Sequence, residues 1–494
     1  METVIGLEIH AQLKTESKMF CRCRNEAQQV PPNTNICPIC LGHPGTLPVI
    51  NSEAVRFTVL AGLALSGKIS DFSKFDRKSY FYPDLPKGYQ ISQYDRPIVQ
   101  GGELVFPFEK KDHRVRLRRI HLEEDAGKLI HAADKKNSLV DYNRSGTPLM
   151  EIVTEPDLRT PAQARIFLQE VQKLLRTIRV SDADMEKGQM RCDANISVRD
   201  GVRTTAIVEI KNMNSFRSVE RALSFEEARL RELLSSGKEK ETVKETRGWS
   251  DVSGVTTAQR SKEEAHDYRY FPEPDLPPLR FDEEFIASVR RELPEMPRER
   301  ERRLIDQVGV KEADAKVLAA DPVLADFFEN TVSELDEWLA SAGGIGAEDR
   351  PSPKAVMAQL CSNWILSELL KYLKSDGVSA NQSKINPENM AEFISLVHRR
   401  VINSSTAQRV LKEMYQTGKD PSQIIDDNDW RQVSDDKSVT GAVEQVIKNN
   451  PGPVADFKRG NQNVLQYLIG QVMKATKGKV DPQKAREALR AKLK

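Results

Sequence analysis

The stretch Val4-Ile5-Gly6-Leu7-Glu8-Ile9-His10 decides how the N-terminal half of the chain folds, because its apolar and polar residues alternate. Alternation with a period of two predicts a β-strand whose successive side chains point to opposite faces. The isoleucine and leucine side chains then share one face, and Glu8 and His10 share the other. Two residues on one strand face lie roughly 7 Å apart at Cα, close enough to hold one divalent ion or phosphate group. The alternative is an ordinary amphipathic strand with an exposed polar face.

Length and composition limit the class of protein. With 494 residues, the chain should form two or three domains and bury a substantial core. Charged residues make up 30% of the chain but the net charge is +1, so any surface for a nucleic acid must be local. We find no apolar run of about 18 residues and no signal-peptide pattern. The expected compartment is therefore the cytoplasm, with no membrane partner.

Four of the six cysteines fall within a stretch of twenty residues: Cys21, Cys23, Cys37 and Cys40. Two short pairs separated by a loop can surround a tetrahedral ion, and clustered thiols in a reducing compartment favour a metal over disulfides. All four positions would be ligands, which leaves none open for chemistry. We therefore predict a structural zinc site. Two disulfides, or four unrelated thiols, are the alternatives.

Acidic residues recur on the strands that we predict after the first one. Glu123 and Glu124 end a basic strand, Glu151 stands alone in an apolar run, and Asp193 and Glu209 lie on two further strands. Buried carboxylates seldom stay unpaired, so these positions need a cation or strong donors. Spacing does not choose between Glu123 and Glu124. An antiparallel sheet with such a face can hold Mg²⁺ against phosphate oxygens.

The segment 74–97 interleaves six aromatic residues with basic ones and is broken by prolines and a glycine. This composition suits a loop that lines a pocket for an anionic ligand with a planar face, such as a nucleotide or an RNA end. A well-packed structural loop is the alternative. The aromatic and proline-rich segment 266–278 could return to the same pocket.

Beyond Pro294 the sequence has helical patterns rich in Ala, Leu, Glu and Lys. From Gly441 onward it contains 11 Lys or Arg against 4 Asp or Glu, with Lys474, Lys477 and Lys479 close together. A basic module at the end of a neutral chain is typical of a partner with a phosphate backbone. A solvated helical tail is the alternative.

Several long motifs resemble the GatB family, which provides one of the subunits of tRNA-dependent aspartyl/glutamyl amidotransferases. The resemblance spans nearly the whole chain. The motifs are Val4–His10, Lys74–Asp84, Tyr89–Ser92, His121–Lys128, Asn143–Pro148, Arg191–Ser197, Tyr268–Asp275 and Gly470–Gly478.

The resemblance implies an α+β fold in three parts. The first, residues 1–293, would be a catalytic cradle of antiparallel sheet similar to glutamine synthetase, with a zinc-binding insert at about 20–42. An all-α domain over 294–405 and a helical tail domain over 406–494 that contacts tRNA would follow.

The resemblance also implies an ATP-dependent carbon-nitrogen ligase acting on misacylated tRNA. ATP would phosphorylate the side-chain carboxylate of Glu on tRNA(Gln), or of Asp on tRNA(Asn), and ammonia would displace the phosphate. The glutaminase (A) subunit would release this ammonia from glutamine, and the small C subunit would complete a heterotrimer. The chain shows no nucleophile arrangement of its own for releasing ammonia, which agrees with a partner that supplies it.

Family positions assign roles to individual residues of this sequence. By resemblance the magnesium ligands are Glu8, His10, Glu124 and Glu151, and Lys78 contacts phosphate. Further metal positions implied by the resemblance are Asp193 and Glu209 for a second ion, and the zinc ligands Cys21, Cys23, Cys37 and Cys40.

A different class of protein would also explain part of the sequence. A zinc-stabilised RNA-binding or assembly factor without catalysis would use the basic tail and the aromatic segment. Such a protein would keep acidic side chains away from its RNA-binding face, so the recurring strand acids favour the enzyme.

Overall fold

The stretch that we predict as the first strand lies in the middle of a large sheet in the computed structural model of this chain. The structure describes residues 1–26, 30–131, 137–261, 269–341, 354–431, 436–459, 461–476, 479–480 and 482–493.

All strands of the described residues lie between residues 1 and 280. They are β1 Glu2–Gln12, β2 Lys68–Ile69, β3 Phe72–Ser73, β4 Asp76–Ser79, β5 Tyr89–Ser92, β6 Val99–Gln100, β7 Glu103–Phe108, β8 Lys111–Glu124, β9 Lys128–His131, β10 Ser138–Asp141, β11 Pro148–Thr154, β12 Met190–Asp200, β13 Arg203–Thr204, β14 Val208–Met213, β15 Glu245–Ser250, β16 Val255–Ser261, β17 Arg269–Pro272 and β18 Leu279–Arg280.

The main sheet has the strand order β16-β15-β14-β12-β1-β11-β8-β6-β2, with β13 paired to β12 and β7 paired to β8. Its described pairings are antiparallel except for β14 with β15, which is parallel. A separate three-stranded sheet has the order β17-β4-β5. The segment beginning at Arg269 therefore does return to the aromatic segment, because β17 pairs with β4.

The helices continue through the second half of the chain. They are α1 Ser52–Ala64, α2 Pro161–Thr177, α3 Phe216–Ser235, α4 Glu283–Arg290, α5 Pro297–Arg303, α6 Glu312–Ala319, α7 Pro322–Ser341, α8 Lys354–Trp364, α9 Leu370–Asp376, α10 Pro387–His398, α11 Ser404–Thr417, α12 Pro421–Asp427, α13 Asp436–Asn449, α14 Pro451–Lys458, α15 Val464–Ala475 and α16 Pro482–Leu493. Among the described helices, none is long and apolar enough to cross a bilayer.

One face of β1 is buried in the core of the first part of the chain. Ile5, Leu7 and Ile9 are at most 1% exposed and belong to the same apolar cluster as Phe167 of α2 and Leu223 of α3. Burial of each such side chain is worth about 1.5–3 kcal/mol. The burial of these side chains fixes the register of β1 in the sheet, because a shift by one residue would move them to the polar face.

The described chain divides into two compact units, residues 1–297 and 298–494. The first contains the sheets, and the described part of the second is helical. The prediction of a sheet-containing part followed by helical parts is therefore confirmed at this level. The second unit has two separate apolar clusters, one within 304–430 and one within 439–493.

The predicted boundary between residues 405 and 406 falls inside a helix, α11. Ala407, Val410 and Leu411 of this helix pack in the same cluster as Phe393 of α10. The two clusters separate instead between Trp430 and Val439.

Candidate active site

The central strand places Glu8 and His10 on the polar face of the sheet. At Cα level His10 lies opposite Glu151 of β11 on one side and Arg191 of β12 on the other. Glu8 lies opposite Asp193 of β12. Antiparallel pairing thus brings together side chains that are up to 185 residues apart in the sequence.

Three side chains on this face converge as a possible metal site. One ligand atom from each of His10, Glu123 and Glu151 lies within 4.8 Å of the others. His10 Nε2 is 3.4 Å from Glu151 Oε2 and 3.8 Å from Glu123 Oε1. Ligands bound at about 2.1 Å to one octahedral ion lie about 3.0–4.2 Å apart. The distances and the carboxylate-rich donor set therefore fit a divalent cation.

Glu124, which we expected in this group by family position, lies elsewhere. Consecutive strand residues point to opposite faces, so Glu123 shares the face of the cluster and Glu124 does not. The Glu124 carboxylate pairs with Lys87 and accepts a hydrogen bond from the Ile91 backbone N–H at 3.0 Å. The structure therefore places Glu123, and not Glu124, beside His10 and Glu151.

The two glutamates should differ in their effect on stability. Glu124 and Lys87 form a pair whose side chains are 3% and 10% exposed, and breaking a buried pair costs about 3–5 kcal/mol. We expect Glu124→Gln to lower the free energy of unfolding by about 3 kcal/mol. Glu123→Gln should change it by less than about 1 kcal/mol, because the attraction to His10 and Lys78 that it removes is offset by the repulsion from Glu151 that it also removes. Denaturant unfolding of both variants measures this, and equal losses would contradict the assignment.

The charged side chains around His10 and Glu151 shift the pKa values of both residues. Burial opposes a charge on His10, but the hydrogen bond to Glu151 and the negative charges of Glu151, Glu123 and Asp193 raise its pKa to about 9. Burial also opposes a charge on Glu151, yet the positive charges of His121 and His10 and hydrogen bonds from both hold its pKa well below the usual range. The carboxylate of Glu151 is therefore ionised at neutral pH.

His121 is a member of this site that the sequence reasoning did not single out. Its Nε2 is 3.2 Å from Glu151 Oε2 and 3.9 Å from Glu123 Oε2. The signal that could have found it was its position two residues before Glu123, which places both on one strand face.

The remaining predicted acids lie on the same face but around a lysine. Lys211 Nζ is 2.5 Å from Asp193 Oδ2 and 3.1 Å from Glu209 Oε1. Glu8 accepts a hydrogen bond from Asn195 Nδ2 at 3.1 Å. Burial, and then the charges of Glu151, Glu209 and Asp193, raise the pKa of Glu8. The structure thus gives Asp193 and Glu209 an ammonium partner at the place where we expected a second ion.

Lys78 lies on β4 beside the metal candidates. At Cα level it is opposite Tyr270 of β17. Burial opposes its charge, but the nearby negative groups, Glu123 first, raise its pKa, so it is positively charged at neutral pH. The ring of Tyr270 stacks on that of Tyr94 with centroids 4.3 Å apart. Lys78 and the stacked rings of Tyr94 and Tyr270 therefore border the carboxylates of the metal candidates.

The four clustered cysteines also meet. Their four Sγ atoms all lie within 4.8 Å of one another, and Cys37 Sγ is 3.8 Å from Cys40 Sγ. Thiolates bound at about 2.3 Å to one tetrahedral zinc would lie about 3.8 Å apart. Lys18 Nζ, buried 3.9 Å from Cys40 Sγ, adds a positive charge beside the sulfurs. The cluster could bind a metal, and its four-sulfur donor set suits zinc.

The basic residues of the tail are only partly described. Lys474 is exposed in the last turn of α15. Lys479 pairs with Asp429, and Lys477 lies outside the described residues.

Comparisons with known proteins point to one family. Residues 3–287 match the family model described as the GatB/GatE catalytic domain, and residues 353–493 match the GatB domain. The chain is 45% identical to a protein of Persephonella marina that is named as the B subunit of the aspartyl/glutamyl-tRNA(Asn/Gln) amidotransferase, over 100% of this chain and 99% of that relative.

Relatives of the same name from Thermotoga maritima and Thermomicrobium roseum are 45% and 46% identical. These matches cover 97% and 99% of this chain, and 96% and 98% of the relatives. They confirm the resemblance that the sequence motifs indicate. The chain therefore belongs to the GatB family.

Proposed function

We propose that this chain is the GatB subunit of a tRNA-dependent amidotransferase that converts Glu-tRNA(Gln), Asp-tRNA(Asn) or both into the amide forms. Family membership over the whole chain supports this. The observation with the most weight within the molecule is the convergence of His10, Glu123 and Glu151 on one sheet face.

The reaction has two steps. The γ-phosphoryl group of ATP passes to an oxygen of the side-chain carboxylate, which gives an acyl phosphate and ADP. Ammonia then attacks the carbonyl carbon, and phosphate leaves as the amide forms. Phosphoryl transfer of this kind needs no protein nucleophile, because positioning and charge stabilisation supply the rate enhancement.

The chain's own groups suit the first step. His10, Glu123 and Glu151 would hold Mg²⁺, and a bound Mg²⁺ supplies positive charge that offsets the phosphate oxygens. Lys78 would bind a phosphate oxygen from the other side of the site, since its charge lies beside Glu123 and Glu151. The stacked rings of Tyr94 and Tyr270 offer a flat surface near this lysine for a base.

The sheet geometry supports a cradle similar to that of glutamine synthetase. Its strands are mainly antiparallel, α2 and α3 cover one face, and the charged residues line the other. We keep this fold comparison as a proposal, together with a cradle over residues 1–293. We place the start of the tail domain between the two helical clusters, within 431–438.

Ammonia must come from a partner. The clustered cysteines would serve as zinc ligands, and burial raises the pKa of Cys192 and Cys361, the latter to about 12. Such thiols are poor nucleophiles. A glutaminase (A) subunit and a small C subunit in a heterotrimer would supply the missing chemistry and hold the complex together.

The tRNA would contact the basic tail. Lys474 is exposed and free to approach a phosphate backbone. Lys479 would exchange its ion pair with Asp429 for a phosphate. We propose the same role for Lys477.

The test is ATP turnover by the reconstituted complex. We expect ADP formation only with Mg²⁺ and a misacylated tRNA, and amide formation on that tRNA when glutamine is added. The isolated chain should release no glutamate from glutamine. Uncharged tRNA is the control. Equal ADP formation with uncharged tRNA would contradict the reaction, and glutamate release by the isolated chain would contradict the partner requirement.

The same assay tests the rival function. An RNA-binding factor without catalysis would bind tRNA through the tail and form no ADP and no amide in any combination of subunits. The acids on the sheet face favour the enzyme, because they repel a phosphate backbone unless a cation is bound.

A further inference from the structure

We infer that Arg191 binds the side-chain carboxylate of the amino acid on the tRNA, and that this contact distinguishes the acidic substrate from its finished amide. The inference rests on the proposed function, because it names the residue that holds the phosphoryl acceptor of that reaction. It goes beyond that function, since neither the metal candidates nor Lys78 accounts for this arginine.

Arg191 stands next to His10 on the polar face of the sheet. At Cα level Arg191 of β12 lies opposite His10 of β1, whose other neighbour is Glu151 of β11. Residues that are directly opposite in an antiparallel pair point to the same face, with Cα atoms about 5 Å apart. Arg191 therefore lies beside the metal candidates, on the other side of His10 from Glu151.

Asp125 holds one end of the Arg191 guanidinium. Its side chain is 3% exposed and pairs with Arg191 Nη2. It also accepts hydrogen bonds from Gln12 Nε2 at 3.1 Å and from the Ala126 backbone N–H at 2.9 Å. Burial opposes a charge on Asp125, yet the positive charges of Arg191 and Arg144 hold its pKa below the usual range. Because its charged partner is itself fixed, the guanidinium is held in one orientation.

The rest of the guanidinium is available to a ligand. The Arg191 side chain is 40% exposed, and the hydrogen-bond acceptor that the described residues offer it is Asp125. A guanidinium carries five N–H donors in a planar fork, so most of them have no protein partner in the described chain. Lys211, by contrast, already lies between two carboxylates, those of Asp193 and Glu209.

The proposed reaction brings two anions together, the triphosphate of ATP and the acceptor carboxylate. They repel each other at close range unless each meets positive charge. The metal candidates and Lys78 would serve the phosphate. The carboxylate must approach from the side opposite the leaving ADP, and a guanidinium binds a carboxylate through two parallel hydrogen bonds. Arg191, on the far side of His10 from Glu151, is the cation placed for this second anion.

The experiment compares two tRNA(Gln) analogues that bind the reconstituted complex in the presence of Mg²⁺. Both carry the amino acid through a stable amide link; one carries glutamate and the other glutamine, which has nearly the same size but no charge. We expect the wild type to bind the glutamate analogue at least about 10-fold more tightly. Arg191→Gln should reduce this preference to less than about threefold and change KM for ATP by less than about threefold. If tRNA(Asn) is the substrate, aspartate and asparagine form the corresponding pair.

Arg199→Gln is the matched control. Arg199 lies eight residues further along β12 on the same face, and it pairs with Glu2 at 2.7 Å. This variant should keep both the preference and KM for ATP at wild-type values. Arg191→Lys keeps a positive charge beside Asp125 without the planar fork, so it should recover part of the preference.

The other outcomes overturn the inference in distinguishable ways. A wild-type preference of less than about threefold does so without any variant, even if Arg191→Gln fails to fold. A folded Arg191→Gln with the wild-type preference does so as well. If that variant also raises KM for ATP at least about tenfold, Arg191 binds a phosphate instead. A wild-type complex that forms no ADP with misacylated tRNA refutes the proposed function itself, whereas an active complex without the preference refutes only the role of Arg191.

Discussion

Replacing Glu151 with glutamine is expected to lower ATP turnover dependent on misacylated tRNA about 10²–10³-fold, the loss typical of removing one preorganised electrostatic group. Glu151 is 8% exposed, and its Oε2 lies within 3.4 Å of an imidazole on each side. Glutamine keeps the size of the side chain but removes the negative charge that the proposed metal site requires. The loss should appear in kcat at saturating ATP and tRNA.

The same substitution should change the titration of His10. In the metal-free chain, the hydrogen bond and the charge of Glu151 are the largest effects that raise the pKa of His10 to about 9. Without that charge the pKa should fall toward the ordinary value of about 6.5. A pH titration of the His10 ring protons by NMR measures this shift and confirms that the variant is folded.

Glu155→Gln is the matched control. Glu155 follows β11 directly and pairs with the exposed Arg118 at 3.1 Å, away from the metal candidates. Its replacement should change turnover less than about twofold, since exposed ion pairs contribute little. If folded Glu151→Gln turned over ATP like the wild type, the proposed centre of phosphoryl transfer would be in the wrong place.

Replacing Cys40 with serine is expected to abolish the proposed zinc site and unfold the surrounding segment. Within residues 20–42, the described residues that are buried are Phe20, Cys21 and Cys40. Such a segment has almost no apolar core, so metal binding supplies most of its folding free energy. Zinc content should fall from about one ion per chain to near zero. Proteolytic cleavage within 20–42 should become at least about tenfold faster.

Cys361→Ala provides the comparison for this experiment. Cys361 is buried in α8 of the second unit and has no part in the sulfur cluster. The variant should retain its zinc and the wild-type rate of cleavage in the insert, even if the helical unit loses stability. Full zinc content in Cys40→Ser, or none in the wild type, would refute the zinc site.

The resemblance and the local patterns together anticipated much of the site. Alternation placed Glu8 and His10 on one face, and the spacing of the cysteines indicated a shared metal. The apolar surroundings of Glu151 indicated that it needed a cation or a strong hydrogen-bond donor. Each of these inferences depends on a few consecutive residues, where the period of a strand or the length of a loop limits the geometry.

Other features depended on which strands pair. Both Glu123 and Glu124 satisfy the local pattern, and the family position chose Glu124. The face of β8 that lies towards His10 carries Glu123, while Glu124 pairs with Lys87 on the opposite face. The role of His121 was hidden for the same reason, since its proximity to Glu151 results from pairing between β8 and β11.

The sequence by itself therefore determined the family, the strand that organises the sheet, and the residue types available for metal and phosphate binding. The tertiary structure alone decided which glutamate joins His10, that a second histidine approaches the same carboxylate, and that Lys211 lies between Asp193 and Glu209. The physical reason is the period of two along a strand. The sequence of a single strand fixes which of its side chains share a face. Only the register between strands that are distant in sequence fixes which side chains touch.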